Sequence, residues 1–214
     1  MKGLLKNNFF TVYANAKIFS VFMLLLGIFV IAVPSQSFQI SFVMIGIVGF
    51  SVNAIVVVKN EFVSKWGKYK LTLPVKRADI VKSYFINQII WLLAGTLFVG
   101  VEMGLSWLLH GCVFDQPIDA LTMFALGVSI SLFMGAIFFP LFYLAGAERS
   151  DVFLIITLLC AFGIDLVIVT VTNELLAPGT ATILLGVAAL LVCSLLAFSI
   201  SYPITVGIFK RKEY

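Results

Sequence analysis

Two carboxylates, Glu102 and Asp165, stand inside long apolar runs of this 214-residue chain. A charge in hydrocarbon is costly, so an acid in such a run usually faces a bundle interior or a water-filled cavity. Two chemistries suit them. Each can line a substrate path and bind cationic groups, or each can be held by a neighbouring Ser, Thr or Asn, or by outer water, as part of the packing. The sequence leaves both standing. Gly100-Val-Glu-Met-Gly104 sets two small residues four apart around Glu102, a spacing that lets helices approach closely. Asn53, Asn87 and Gln88 read as hydrogen-bonding glue between helices rather than as ligands.

Residues that would support catalysis are missing. The one histidine, His110, falls in a polar break between apolar runs. It has no buried serine partner and no second histidine with which to hold a metal. No G-x-x-x-x-G-K-[ST] phosphate loop is present; the nearest run, Gly67-Lys68-Tyr69, lacks the preceding glycine and the following hydroxyl. Cys112, Cys160 and Cys193 have no paired spacing, so neither a disulfide framework nor a metal site is implied. The chain reads as a non-enzyme with no catalytic residue and no metal.

The elements that must position these acids follow from the distribution of charge. Hydrophobic residues make up 62% of the chain and charged residues 11%, where a soluble domain carries about 25% charge. Mean hydropathy is +1.14. Six runs are apolar enough to cross a bilayer core of about 30 Å, which takes about 20 helical residues. They are Ile18–Val33, Phe38–Val58, Phe85–Leu109, Ala120–Ala145, Val152–Val171 and Ala181–Phe209. All 14 Lys and Arg fall at Lys2–Lys17, Lys59–Lys82, Arg149 and Lys210–Lys212, and none in the alternate breaks. Positive residues stay on the cytoplasmic side, so both termini, the stretch around residue 70 and the turn at Arg149 are expected there. The net charge of +4 then faces anionic lipid rather than nucleic acid. Pro140 is an expected kink in the fourth span. The expectation is an all-α polytopic membrane protein of six transmembrane helices, one membrane domain over residues 1–214.

Residues 1–16 are too polar to span. Leu5, Phe9, Val12 and Ala16 share one helical face, with Asn7, Asn8, Thr11 and Asn15 on the other. That pattern predicts an amphipathic helix lying in the cytoplasmic interface before it turns into the first span. The alternative is a polar tail that only sets topology.

The stretch from Lys59 to Tyr84 carries seven of the 14 basic residues and interleaves them with aromatics. Phe62, Trp66 and Tyr69 fall on one face of a short helix. Pro74 biases Leu73 to an extended conformation, so a helix must break before it. Helix can resume near Lys76 and rise through Ile80, Val81 and Tyr84. An aromatic anchor at the membrane surface is the plainer reading of the same residues.

Glu61, Leu73-Pro74-Val75, Arg77, Ile80-Val81 and Tyr84 resemble the cytoplasmic signature of small bacterial ABC-2 type permeases. The resemblance implies the six-span membrane subunit of an ATP-driven exporter in the bacterial cell membrane. Two permease subunits, identical or homologous, would pair, and separate ATPase subunits would dock below, bringing ATP and Mg with them. The loop between the second and third spans would supply the coupling helix, so Glu61, Phe62, Trp66, Tyr69, Leu73, Pro74, Val75, Arg77, Ile80 and Val81 are the expected coupling residues. Exporters of this kind move peptides, antibiotics or other hydrophobic compounds. Two other functions fit six spans: the substrate-binding membrane subunit of a vitamin-uptake type transporter, and an accessory or immunity membrane protein that transports nothing. The first would not need a long aromatic and basic cytoplasmic stretch.

Overall fold

The computed structural model describes residues 2–63, 76–114, 116–146, 149–175 and 179–211. These form six helices: α1 (Lys2–Ala32), α2 (Gln36–Val63), α3 (Arg77–His110), α4 (Pro117–Ala145), α5 (Ser150–Leu175) and α6 (Thr180–Arg211). All six are long and apolar enough to cross a membrane. Among the described residues there is no strand.

Local chemistry sets the ends. Lys76 is extended, at φ −68° and ψ 140°, and α3 starts directly after it, where the sequence expects helix to resume beyond Pro74. Gln116 and Asp119 form a reciprocal capping box at the start of α4, with Pro117 in the first turn. α3 and α4 each stop at a glycine of positive φ, Gly111 at 79° and Gly146 at 91°, a conformation that L side chains rarely adopt. α4 runs through Pro140, and α6 through Pro203, without interruption.

α4 is the centre of the bundle, with every residue from Ser129 to Ala136 buried. It packs most extensively on α6, then on α5 and α2, while α1 packs on α2 and α3. Rings fill the half nearer the chain termini: Phe85 lies 4.5 Å from Phe139 and 4.9 Å from Phe198. In lipid, such packing rather than escape from water holds helices together. α5 and α6 leave most of their apolar surface outward, including Leu159, Leu166, Leu195 and Ile200.

Two expectations about local packing are corrected. First, residues 2–16 do not form a separate helix that turns into the span, because α1 is continuous from Lys2 to Ala32 and no proline interrupts it. Its inward face is Leu4, Asn8, Val12 and Ala16, whereas Phe9 is exposed. Asn8, expected on the polar outer face, is fully buried and donates from Nδ2 to Ser83 Oγ at 3.0 Å. The hydrogen bond to α3 outweighs the apolar pattern. Second, Gly100 and Gly104 mediate no close helix contact among the described residues. A methyl on Gly104 would meet nothing, and one on Gly100 only the edge of Phe124 at 4.0 Å.

Candidate functional site

α3 carries a line of polar side chains inward along its length, and each meets a residue of another helix. Ser83 accepts from Asn8 of α1. Gln88 donates to Ser51 Oγ of α2 at 3.3 Å and to the Ser131 carbonyl of α4 at 2.9 Å. Its amide sits where a side chain on Gly135 would have to go, so only glycine fits there without displacing it. Nearer the other end, Ser106 accepts from Gln39 Nε2 of α2 at 3.0 Å. Gln88 is therefore glue between helices, as expected. Asn53 instead donates to the Gly49 carbonyl of its own helix, and Asn87 is buried.

Glu102 belongs to this line. It is 9% exposed, and its carboxylate lies directly over Gly27 of α1, with Cδ 2.7 Å from where a Cβ would stand. A glycine there is what admits the acid. Asp165 is held elsewhere. It is buried on α5 and accepts from Ser129 Oγ of α4 at 2.5 Å, while Oδ2 has no partner among the described residues. An apolar cavity of about 260 Å³, walled by Met44, Leu126, Ile130 and Phe162, borders it. The two acids thus face different helices and do not form a pair. Among the described residues no cluster could hold a metal ion.

The basic end of the bundle has two ties, one on each side of residues 64–75. Lys59 near the end of α2 bridges both carboxylate oxygens of Asp151, in the first turn of α5, at 2.6 and 2.7 Å. Asp151 is 78% exposed, so water screens the pair and it is worth about 1 kcal/mol or less. Arg77, at the start of α3, donates from Nη1 to the carbonyls of Phe209 and Lys210, both at 3.2 Å. Its guanidinium also lies 5.7 Å from the centre of the Phe209 ring. Those carbonyls belong to the last turn of α6, where carbonyls lack intrahelical donors and the helix dipole is negative. A planar cation answers both needs.

Of the expected coupling residues, Arg77 makes this tie, and Ile80 and Val81 are buried in the core. They present no surface to a partner. Glu61 and Phe62 lie on the α2 backbone. Trp66, Tyr69, Leu73, Pro74 and Val75, with the short helix expected around them, lie outside the described residues.

The sequence model of one family, described as ABC-2 family transporter protein, matches residues 3–210. That is nearly the whole chain. The chain belongs to the ABC-2 transporter family. No curated protein and no solved structure matches it. Membership makes this a multi-pass membrane protein and an ABC transporter permease, and implies an ABC ATPase as partner. The polar line on α3 and the two ties are then features of an ABC-2 permease. Most of the residues that build them, among them Gly27, Asn8, Gln39, Ser51, Ser83 and Asp151, carry no motif. The available signal was Ser83, Gln88, Glu102 and Ser106 recurring in a mostly apolar helix.

Proposed function

We propose that the chain is the permease subunit of an exporter that moves a hydrophobic or amphipathic substrate, such as a peptide, an antibiotic or a lipid-like molecule, out of the cell. ATP and Mg bind a separate ATPase subunit, which docks at the cytoplasmic stretch 59–84. A second permease subunit, the same chain or a homologue, completes the path. The observation that carries this reading is family membership over residues 3–210, in a chain that has no phosphate loop of its own. The crowding of seven basic residues and several aromatics into 59–84 supports that stretch as the docking element, since interfaces of this kind have an aromatic centre and a charged rim.

In this account Glu61, Phe62, Trp66, Tyr69, Leu73, Pro74 and Val75 meet the ATPase. Ile80 and Val81 act from inside by fixing the start of α3, and Arg77 ties that start to α6. Glu102 and Asp165 offer negative charge along the path to cationic groups on the substrate. The test is to co-express the permease with its ATPase, reconstitute the purified complex in vesicles, and screen peptides, antibiotics and lipids for stimulated hydrolysis. A stimulating compound should also accumulate on the side opposite the ATPase. A complex whose hydrolysis no compound stimulates, or uptake towards the ATPase side, would overturn the exporter reading.

A further inference from the structure

The end of the bundle free of Lys and Arg holds a groove between α4, α5 and α6. Two adjoining hollows of about 210 and 300 Å³ share Asn173, Thr182 and Ile183. Together they fall in the lower part of the range of small-molecule sites, roughly 300–1,000 Å³. The groove is graded. Asp119, Asn173 and Thr182 line its rim, and Val169, Val187 and Leu190 its floor. At 1.5 Å of rise per residue, Leu190 lies about 15 Å below the start of α6, a depth that accepts an alkyl chain.

Two of the polar groups at the rim, Asp119 and Asn173, keep acceptors that the fold does not use. Asp119 spends Oδ2 on the Gln116 backbone N–H, at 3.3 Å, and its other oxygen has no partner among the described residues. The Asn173 amide likewise has none. Charge at this end is one-sided: Asp115, Asp119 and Glu174 are present in the breaks His110–Asp119 and Asn173–Thr180, with no Lys or Arg to balance them.

We infer that this groove binds an amphiphile with an amine head, its ammonium on Asp119 and the Asn173 carbonyl, its tail along Val169, Val187 and Leu190. The site is independent of whether the protein exports anything. An ammonium donates three hydrogen bonds, which matches a rim of oxygen acceptors, and a tail fits an apolar floor at membrane depth. The amine can come from an aminophospholipid of the bilayer or from a free amphiphile.

The test uses the full chain in phosphatidylcholine nanodiscs, with Cys112, Cys160 and Cys193 replaced by Ala and a reporter cysteine introduced as Gly186→Cys. Gly186 lines the groove, and a Cβ there meets only Thr172, at 3.6 Å. The rate at which a water-soluble maleimide labels position 186 is measured against dodecylamine, against dodecanol, and in discs containing phosphatidylethanolamine. Protection by dodecylamine but not dodecanol supports the site. Protection by phosphatidylethanolamine as well assigns the amine to lipid, and protection by dodecylamine alone assigns it to a free amphiphile. Asp119→Asn should raise the half-protecting dodecylamine concentration about tenfold, the loss expected for one charged hydrogen bond. Asn173→Ala, which leaves the helix cap intact, should do so less strongly, and it replaces Asp119→Asn if that variant does not fold. No protection by either amine, equal protection by dodecanol, or protection unaltered by both substitutions would overturn the inference.

Discussion

Arg77 and Phe209 join the first residue of α3 to the last turn of α6, through a 3.2 Å hydrogen bond to the Phe209 carbonyl and a 5.7 Å approach of the guanidinium to its ring. Removing this tie should weaken the basic end of the bundle without dismantling it. A charged hydrogen bond contributes about 1.5–3 kcal/mol, and partial exposure of Arg77 reduces this to about 1 kcal/mol. Arg77→Ala should therefore lower the melting midpoint of the purified permease by a few degrees, about 2–4 °C for a chain of this size. Arg77→Lys should recover only part of the loss, because an ammonium cannot stack and bond two carbonyls in one plane. Thermal unfolding of both variants checks the order.

Gly27 and Glu102 should show strong coupling. Gly27→Ala places a methyl within the space of the carboxylate, and overpacking of this kind costs about 1–3 kcal/mol. Glu102→Ala removes the obstruction. The double variant should then be more stable than the sum of the single effects allows. Additive effects in a double-mutant cycle would mean that the close approach carries no energy.

Ser129→Ala removes the one hydrogen bond that Asp165 makes among the described residues, a contact worth roughly 1 kcal/mol in a membrane bundle. Glu102→Gln and Asp165→Asn test the path instead. Both keep most hydrogen bonding, so the complex should assemble while export of a cationic substrate falls. Full export by the double amide variant would leave the acids as packing groups only.

Topology is checked by labelling single cysteines in intact cells. A membrane-impermeant reagent should reach positions Gln36, Gln116 and Leu176, and not Lys68 or Lys212. Labelling at Lys68 from outside would reverse the orientation drawn from the Lys and Arg distribution.

The six helices and the restart of α3 after Pro74 were legible in the sequence, because apolar length and a proline act locally. The inward face of α1 was legible only in part. Hydrophobic periodicity marks the buried face of a helix in water, but a helix in lipid turns apolar side chains outward too. Val12 and Ala16 were placed correctly, but Leu5 and Phe9 put the face one residue away from Leu4 and the polar Asn8, which are buried. The place of Gly27 beneath Glu102 was equally invisible, since it depends on how α1 lies across α3. Gly100 and Gly104, whose spacing suggested a contact, meet no helix closely among the described residues.

The most direct test of the account is Trp66→Ala in the complex with the ATPase, since 59–84 is proposed to dock it. A buried aromatic anchor typically contributes about 2 kcal/mol or more, roughly thirtyfold in affinity, whereas a rim charge such as Lys65 contributes less and does so mainly at low salt. Trp66→Ala should lose the ATPase on co-purification, or leave its hydrolysis unresponsive to substrate, while Lys65→Ala binds and responds as the unaltered permease does. Normal ATPase binding together with normal substrate-stimulated hydrolysis in Trp66→Ala would contradict the account and leave the stretch as a membrane-surface anchor.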